Sequence, residues 1–312
     1  MSAAADGVGS TQALQMRLAE EKWPRIALVT PVFNSKKYIE ATIRSVLAQE
    51  YPNLDYFIVD GGSTDGTVDI IRKYENQISG WISEPDKGMY DAINKGFERT
   101  SGEIMGWLNA TDMLHVGGLR VVASIFRDLP EVEWITGRPT AFSENGMTVQ
   151  ILATKRWSRY RFLAGANRNI QQESTYWHRG LWDRAGGFVD TSCRAAGDFE
   201  LWVRFFRHAA IHSVDSAIGG WRSHEEGLGQ GNIDQYFQEC EEIIEEELAH
   251  VAHGRWIRVL RRIGRTVKPI PVVRGVWRLL VTDSLYHRRG PDWPPIIEYQ
   301  WGKVCKWGFR RG

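Results

Sequence analysis

The 312 residues suffice for one large domain with an appendage, since single cores stop growing near about 250 to 300 residues. A hydrophobic fraction of 43% and a charged fraction of 25% exclude a disordered or fibrous chain. The net charge of +1 hides an asymmetry: from Arg255 onward fourteen Lys and Arg face only Asp283, Asp292 and Glu298, a balance of +11 that leaves −10 on the first 254 residues and points to an interaction role for the tail.

Residues 1–24 read as a mobile leader, rich in Ala, Gly and Ser before a short charged helix candidate. From Arg25 to Leu108, β-rich apolar runs alternate with helical periods. Strands are predicted at 26–29, 56–59, 78–82 and 104–108, and helices at 36–49, 65–74 and 89–99. Strands separated by helices of this length indicate βαβ units and a parallel sheet. Ligands of such sheets bind beyond the carboxyl ends of the strands, which selects Thr30–Asn34, Asp60–Thr67, Glu84–Gly88 and Asn109–Asp112. Further on, helices are predicted at 116–128 and 198–207, a strand at 134–136, and an acidic helix spanning Glu239–Glu247 after the Gly-rich 227–231. Cys193, Cys240 and Cys305 fit neither a disulfide framework nor a paired-thiolate zinc site, so a reducing compartment is expected. No run reaches the about 18 apolar residues of a spanning helix, and the first 18 residues lack a secretory pattern, so the expectation is a cytoplasmic protein not integral to a membrane.

The string Asp60-Gly61-Gly62-Ser63-Thr64-Asp65-Gly66-Thr67 closes a strand and opens a helix, placing a carboxylate, glycines and free backbone donors at a sheet edge. Such a turn either holds an anion or a nucleotide or is a tight βα turn with Asp65 as N-cap. The string Thr30-Pro31-Val32-Phe33-Asn34 precedes it, and 83–96, SEPDKGMYDAINKG, follows. In this order and spacing the segments resemble glycosyltransferase family 2. The likeness continues through Gly102-Glu103-Ile104, Trp107–Asp112, Gln171–Trp177, Gly186–Phe188 and Ala196–Trp202, covering about 25–224.

The resemblance implies a GT-A, Rossmann-like α/β domain with a mainly parallel sheet and flanking helices over 25–230, followed by a C-terminal helical, basic region over 231–312. It also implies an inverting transfer from a nucleotide-sugar donor, UDP-linked in the first instance. On the donor side it implicates Thr30, Pro31, Phe33, Asn34, Asp60, Gly61 and Ser63 around the nucleoside, with Asp60 as acceptor from the base edge. Where many members carry a second Asp, this chain has Gly61. Asp86, Lys87 and Gly88 would approach the diphosphate or the sugar, and Asn109, Ala110 and Thr111 the ribose, although Lys87 also reads as an ordinary turn lysine. Where the family's metal motif usually has adjacent acids, the chain reads Thr111-Asp112, so a single carboxylate, Asp112, remains for Mg2+ or Mn2+, with His224 as a second ligand. Asp112 would otherwise cap the following helix, and His224 would otherwise be structural or solvated.

Asp198 matches the family's catalytic base, and an N-cap on its helix is the other role open to it. Glu173, Ser174 and Trp202 would lie on the acceptor side, where a glycan or lipid-linked hydroxyl is expected.

In the tail, 255–265 reads RWIRVLRRIGR, with Trp256, Leu260, Ile263 and Val267 on one helical face and Arg258, Arg261, Arg262 and Arg265 pointing away. That pattern, with further Trp at 277, 293, 301 and 307, suits an anionic membrane surface through 255–312 and a peripheral place on the inner face of the plasma membrane; packing on the catalytic domain is the other reading. No nucleic-acid-binding module is present. A catalytically weak GT-A module that binds glycan or serves assembly is the second functional reading, and a nucleotide-dependent oxidoreductase is disfavoured because no G-x-G-x-x-G follows the first strand.

Overall fold

The computed structural model describes residues 23–165, 169–223, 233–251, 253–267, 294–300 and 302–307. The chain runs β1 (Ile26–Val32), α1 (Ile39–Leu47), β2 (Leu54–Asp60), α2 (Thr67–Arg72), β3 (Gly80–Ser83), α3 (Met89–Glu98) and β4 (Ile104–Trp107). It continues through β5 (Met113–Leu114), α4 (Gly118–Asp128), β6 (Trp134–Thr136), β7 (Thr140–Phe142), β8 (Thr148–Ile151), α5 (Arg159–Leu163), β9 (Thr175–His178), α6 (Arg179–Arg184) and α7 (Gly197–Phe205). The last elements are β10 (His212–Ser213), β11 (Gly219–Arg222), α8 (Ile233–His250), α9 (Gly254–Val267), β12 (Ile296–Gln300) and β13 (Lys303–Trp307).

A seven-stranded sheet has the order β10-β6-β9-β4-β1-β2-β3. Strands β1 to β4 pair in parallel, as the alternation of strands and helices predicts. Strand β9 departs from that pattern, running antiparallel between β4 and β6. A smaller sheet, β5-β11-β7-β8, packs beyond the end of β4. All seven residues of β1 are buried, and its side chains divide by the strand period of two. Ala27 and Val29 join a cluster with Trp107, Trp134, Trp177, Trp202, Phe199 and Phe205. Ile26, Leu28 and Val32 join a second with Ile39, Ile43, Ile71, Val122 and Ile125 from α1, α2 and α4. The sheet is therefore covered on both faces, and its carboxyl edge is left for a ligand.

The C-terminal region opens with helices α8 and α9. Helix α9 forms where the periodicity predicts it, but the end of the described chain is a β-hairpin, with β12 and β13 antiparallel. The hairpin docks on the sheet edge: Ile297 is fully buried, bridges to Val214, and accepts from Asp215 N–H at 2.8 Å. Arg156 donates to Pro294 O, and Lys306 pairs with Glu131. Among the described side chains of α9, Ile257, Leu260 and Arg261 are buried, whereas Trp256, Val259 and Ile263 are exposed. Arg261 thus does not point away. Its guanidinium donates to Leu163 O and to Glu241 on α8, and that pairing lets a cation be buried. Helix α8 joins the hydrophobic cluster of Trp107 and Trp202 through Cys240, Ile244 and Leu248. Its buried Glu247 accepts from Arg159 and Arg207. Among the described residues no helix is long and apolar enough to cross a membrane. Trp277 and Trp293 lie outside the described residues, as does Trp301.

Candidate functional site

The carboxyl ends of β1, β2, β3 and β4 bring four sequence motifs to one edge. At the end of β2, Asp60 is fully buried. Its Oδ2 accepts from Gly62 N–H (3.1 Å), Ser63 N–H (2.9 Å) and Ser83 Oγ (2.7 Å). Its Oδ1 is buried and has no partner among the described residues. One carboxylate oxygen thus builds the turn while the other is an open acceptor. Asn34, at φ 46°, accepts from Thr64 N–H through Oδ1, and its own N–H donates to Ser63 Oγ, so it locks the β1 loop onto the β2 turn. Asp65 is not the N-cap of α2, a position held by Gly66; its carboxylate accepts from Thr67 N–H and from Lys36 N–H and ties the turn to the loop before α1. Phe33 is 62% exposed at the lip, whereas Pro31 and Thr30 are buried, the Thr30 hydroxyl 3.1 Å from that of Tyr56.

Gly61 explains itself through Asp86. A Cβ on residue 61 would stand 2.5 Å from Asp86 Oδ2 and 3.1 Å from its Cγ. The Asp86 carboxylate therefore occupies the room that a side chain at 61 would need, and Gly88 N–H donates to its Oδ1 at 2.8 Å. This edge of the sheet carries a second carboxylate after all, supplied from the β3–α3 loop. Lys87 is exposed, its N–H held by Asp91.

At the end of β4, Asp112 is 4% exposed and its oxygens accept from Asn109 Nδ2 and Arg222 N–H, each at 3.0 Å. Helix α4 begins at Gly118, so Asp112 does not cap it. Thr111 leans toward Asp112 Oδ1 at 3.4 Å, and Ala110 is buried. Glu173 reaches Asp112 from the turn before β9 and is hydrogen-bonded to it. Burial first, and the Asp112 charge second, hold Glu173 well above the usual carboxyl range, and burial raises Asp112 as well. The close approach of β11 makes this possible: a Cβ at Gly219 would lie 2.2 Å from Glu173 O. The charge of Asp198 also acts on Glu173, which links the β4 end to the start of α7.

Asp198 sits in the first turn of α7, and burial pushes its carboxyl up to about 6. It is not the N-cap: Ala196 holds that position, and the Asp198 carboxylate accepts from the adjacent Phe199 N–H at 2.7 Å. The donors leading into the helix are satisfied from outside. Glu239 on α8 accepts from Arg194 N–H (3.2 Å), Ala195 N–H (2.9 Å) and Ala196 N–H (2.8 Å) through Oε2. Tyr90 Oη accepts from Gly197 N–H at 2.9 Å. The Asp198 carboxylate is thereby freed from capping and held by its neighbours.

Two expected acceptor contacts are corrected. Trp202 is 1% exposed and stacks on Trp107 with centroids 5.9 Å apart, because it faces the core side of α7. The fully buried Ser174 spends its hydroxyl on Gly219 O. His224 lies outside the described residues. Arg222 and Glu239 were not anticipated: Arg222 stands two residues before His224, whereas nothing local marks Glu239 among six glutamates of one helix.

For a divalent cation, the described residues offer an all-oxygen set. The Asn109 Oδ1 is buried without a partner beside the Asp112 and Glu173 carboxyl groups, chemistry that fits Mg2+ or Mn2+. Among the described residues no third His, Cys, Asp or Glu joins them.

Residues 27–181 match the family model of glycosyl transferase family 2. The chain is 33% identical over 129 residues to the putative teichuronic acid biosynthesis glycosyltransferase TuaG of Bacillus subtilis, a match covering 40% of this chain and 48% of that protein. It is 29% identical over 189 residues to an uncharacterized glycosyltransferase of Mycobacterium tuberculosis, covering 58% and 68% of the two chains. The fold is that of S. aureus TarS 1-349 in complex with UDP-GlcNAc, with TM-score 0.62 and 17% identity over 75% of this chain and 70% of that one. It is also that of the mannosyltransferase PcManGT from Pyrobaculum calidifontis in complex with GDP-Man and Mn2+, with TM-score 0.52 and 15% identity over 92% and 97%.

Proposed function

We propose that this chain, which carries a glycosyl transferase family 2 domain over residues 27–181, is an inverting glycosyltransferase that moves a sugar from a UDP-sugar to a hydroxyl of a glycan or lipid-linked acceptor in surface polysaccharide synthesis. The observation that carries the reading is an open acceptor, Asp60 Oδ1, at the carboxyl edge of the sheet, together with a carboxyl pushed up to about 6, Asp198, in the first turn of α7, whose charge acts on Glu173 beside Asp112. A single free, buried acceptor matches the one imide N–H of uracil; guanine presents two adjacent N–H groups, and Asp60 Oδ2 is already taken. The UDP-GlcNAc held by the TarS fold and the teichuronic acid assignment of TuaG support the donor class and the product class.

In the proposed reaction ionised Asp198 removes the proton of the acceptor hydroxyl as its oxygen bonds to the anomeric carbon. The bond from that carbon to the diphosphate oxygen breaks on the opposite face, and the electron pair leaves with the nucleoside diphosphate. A pKa near 6 leaves the base ionised at neutral pH while keeping it a stronger proton acceptor than an exposed Asp. Mg2+ or Mn2+ bound by Asp112, Glu173 and Asn109 would supply positive charge to the leaving group. Asp86 accepts hydrogen bonds from donor hydroxyls.

The test is a thermal-shift screen of UDP, GDP and their sugars with and without Mn2+, followed by donor hydrolysis and transfer. A rise in melting temperature with UDP and donor turnover that Asp198→Asn removes are expected. No shift with any nucleotide would refute the reading. For place in the cell, Trp256, Val259 and Ile263 form an exposed apolar stripe on α9 with Arg255 and Arg262 exposed beside it, which supports peripheral binding to an anionic bilayer. Failure of the full chain to co-sediment with anionic vesicles at low salt would refute that.

A further inference from the structure

Arg222, on β11, is 4% exposed. Its Nε and Nη2 are buried and have no partner among the described residues. A guanidinium does not shed its charge, so buried donors of this kind are strongly unfavourable unless an acceptor reaches them. The groups around it are Asp112, Tyr38 and Glu144. Asp112 already accepts from Asn109 and from the backbone N–H of Arg222 itself. Glu144 is taken by Lys37 and by the Tyr38 hydroxyl at 3.1 Å. The guanidinium carbon lies 5.5 Å from the centroid of the Tyr38 ring. None of these neighbouring acceptors bonds Arg222 Nε or Nη2, so among the described residues these two buried donors lack an acceptor.

The location points to one. Arg222 is tied to Asp112 at the end of β4, where the diphosphate of a donor must pass between the nucleoside turn at Asp60 and the base at Asp198. This edge already holds Asp60, Asp86, Asp112 and Glu173, with the charge of Asp198 acting on Glu173, and Thr111 leaves it one acid short of a strong cation site. We infer that Arg222 is a ligand of the donor diphosphate and neutralises the departing nucleoside diphosphate, sharing the task that a divalent cation would otherwise carry alone. The inference rests on the nucleotide-sugar reading. The planar fork presents parallel N–H groups to phosphate oxygens and is in place before charge develops on the leaving oxygen. Arg222 donates hydrogen bonds and gives up no proton as the sugar–phosphate bond breaks.

The experiment uses the full chain and measures UDP by calorimetry and uridine by ligand-observed NMR, with Mg2+ or with EDTA. Arg222→Met is expected to weaken UDP on the order of 10- to 100-fold, most in EDTA, with uridine binding unchanged. Arg222→Lys, which keeps the charge without the fork, should recover part of the loss and decides the matter if the Met variant does not fold. A Met or Lys variant binding UDP within twofold of wild type overturns the inference, as does an equal loss for UDP and uridine, which marks a structural role. If wild type binds neither UDP nor GDP, the nucleotide-sugar reading fails and the inference falls with it.

Discussion

Replacing Asp198 with Asn should abolish transfer and at the same time stabilise the protein above pH 7. Burial raises this carboxyl from 3.8 to about 6. At about 1.4 kcal/mol per unit the shift bounds the cost of the folded charge at about 3 kcal/mol, and partial access to solvent reduces it to roughly 1 to 2 kcal/mol. Because the folded pKa is the higher one, the folded state binds more protons than the unfolded state between about pH 4 and 6. The penalty is absent below about pH 4, grows as pH rises to about 6, and is constant above. Asn retains the acceptor for Phe199 N–H, so the variant loses the charge and little else. Its melting temperature should exceed that of wild type at pH 8 and converge toward it near pH 4. Wild-type kcat/KM should fall as pH drops through about 6, to roughly a tenth at pH 5, where about one base in ten is ionised. Near-normal turnover by the variant, or wild-type activity flat from pH 7 to 5 together with no gain in stability at pH 8, would refute the reasoning.

Gly61→Ala places a methyl carbon 2.5 Å from Asp86 Oδ2, so the carboxylate must move; UDP affinity should fall about tenfold with the melting temperature lowered only slightly, and calorimetry alongside Asp86→Ala should show losses that do not add. Glu239→Ala strips the acceptor from three backbone donors ahead of α7 and should cost roughly 1 to 2 kcal/mol of stability. Its kcat should drop about tenfold with the UDP dissociation constant unmoved, because Asp198 loses its fixed position while the donor half is untouched; a parallel loss of UDP affinity would contradict that division.

The sequence alone determined the frame. Short β-rich apolar runs at β1, β2 and β4, separated by helical periods, specify a parallel sheet, and the residues after those strands must then lie at its carboxyl edge, so Asp60, Asp86 and Asp112 were legible as one site. The short strands β7, β8, β9 and β11 were not legible, since three or four residues carry too little periodicity, and β9 inserts antiparallel where local pattern implied a parallel neighbour. What each site residue does was decided by partners distant in the chain. Ser83 and the adjacent turn saturate one oxygen of Asp60 and leave the other open. Asp112 meets Arg222 across 110 residues, and Glu239 reaches Ala196 across 43. The fold turns Trp202 into core and buries Arg261 beside Glu241. Burial and hydrogen-bond saturation are properties of surroundings assembled by folding, so residue types and spacings name the candidates, and tertiary packing settles which of their atoms remain free to act.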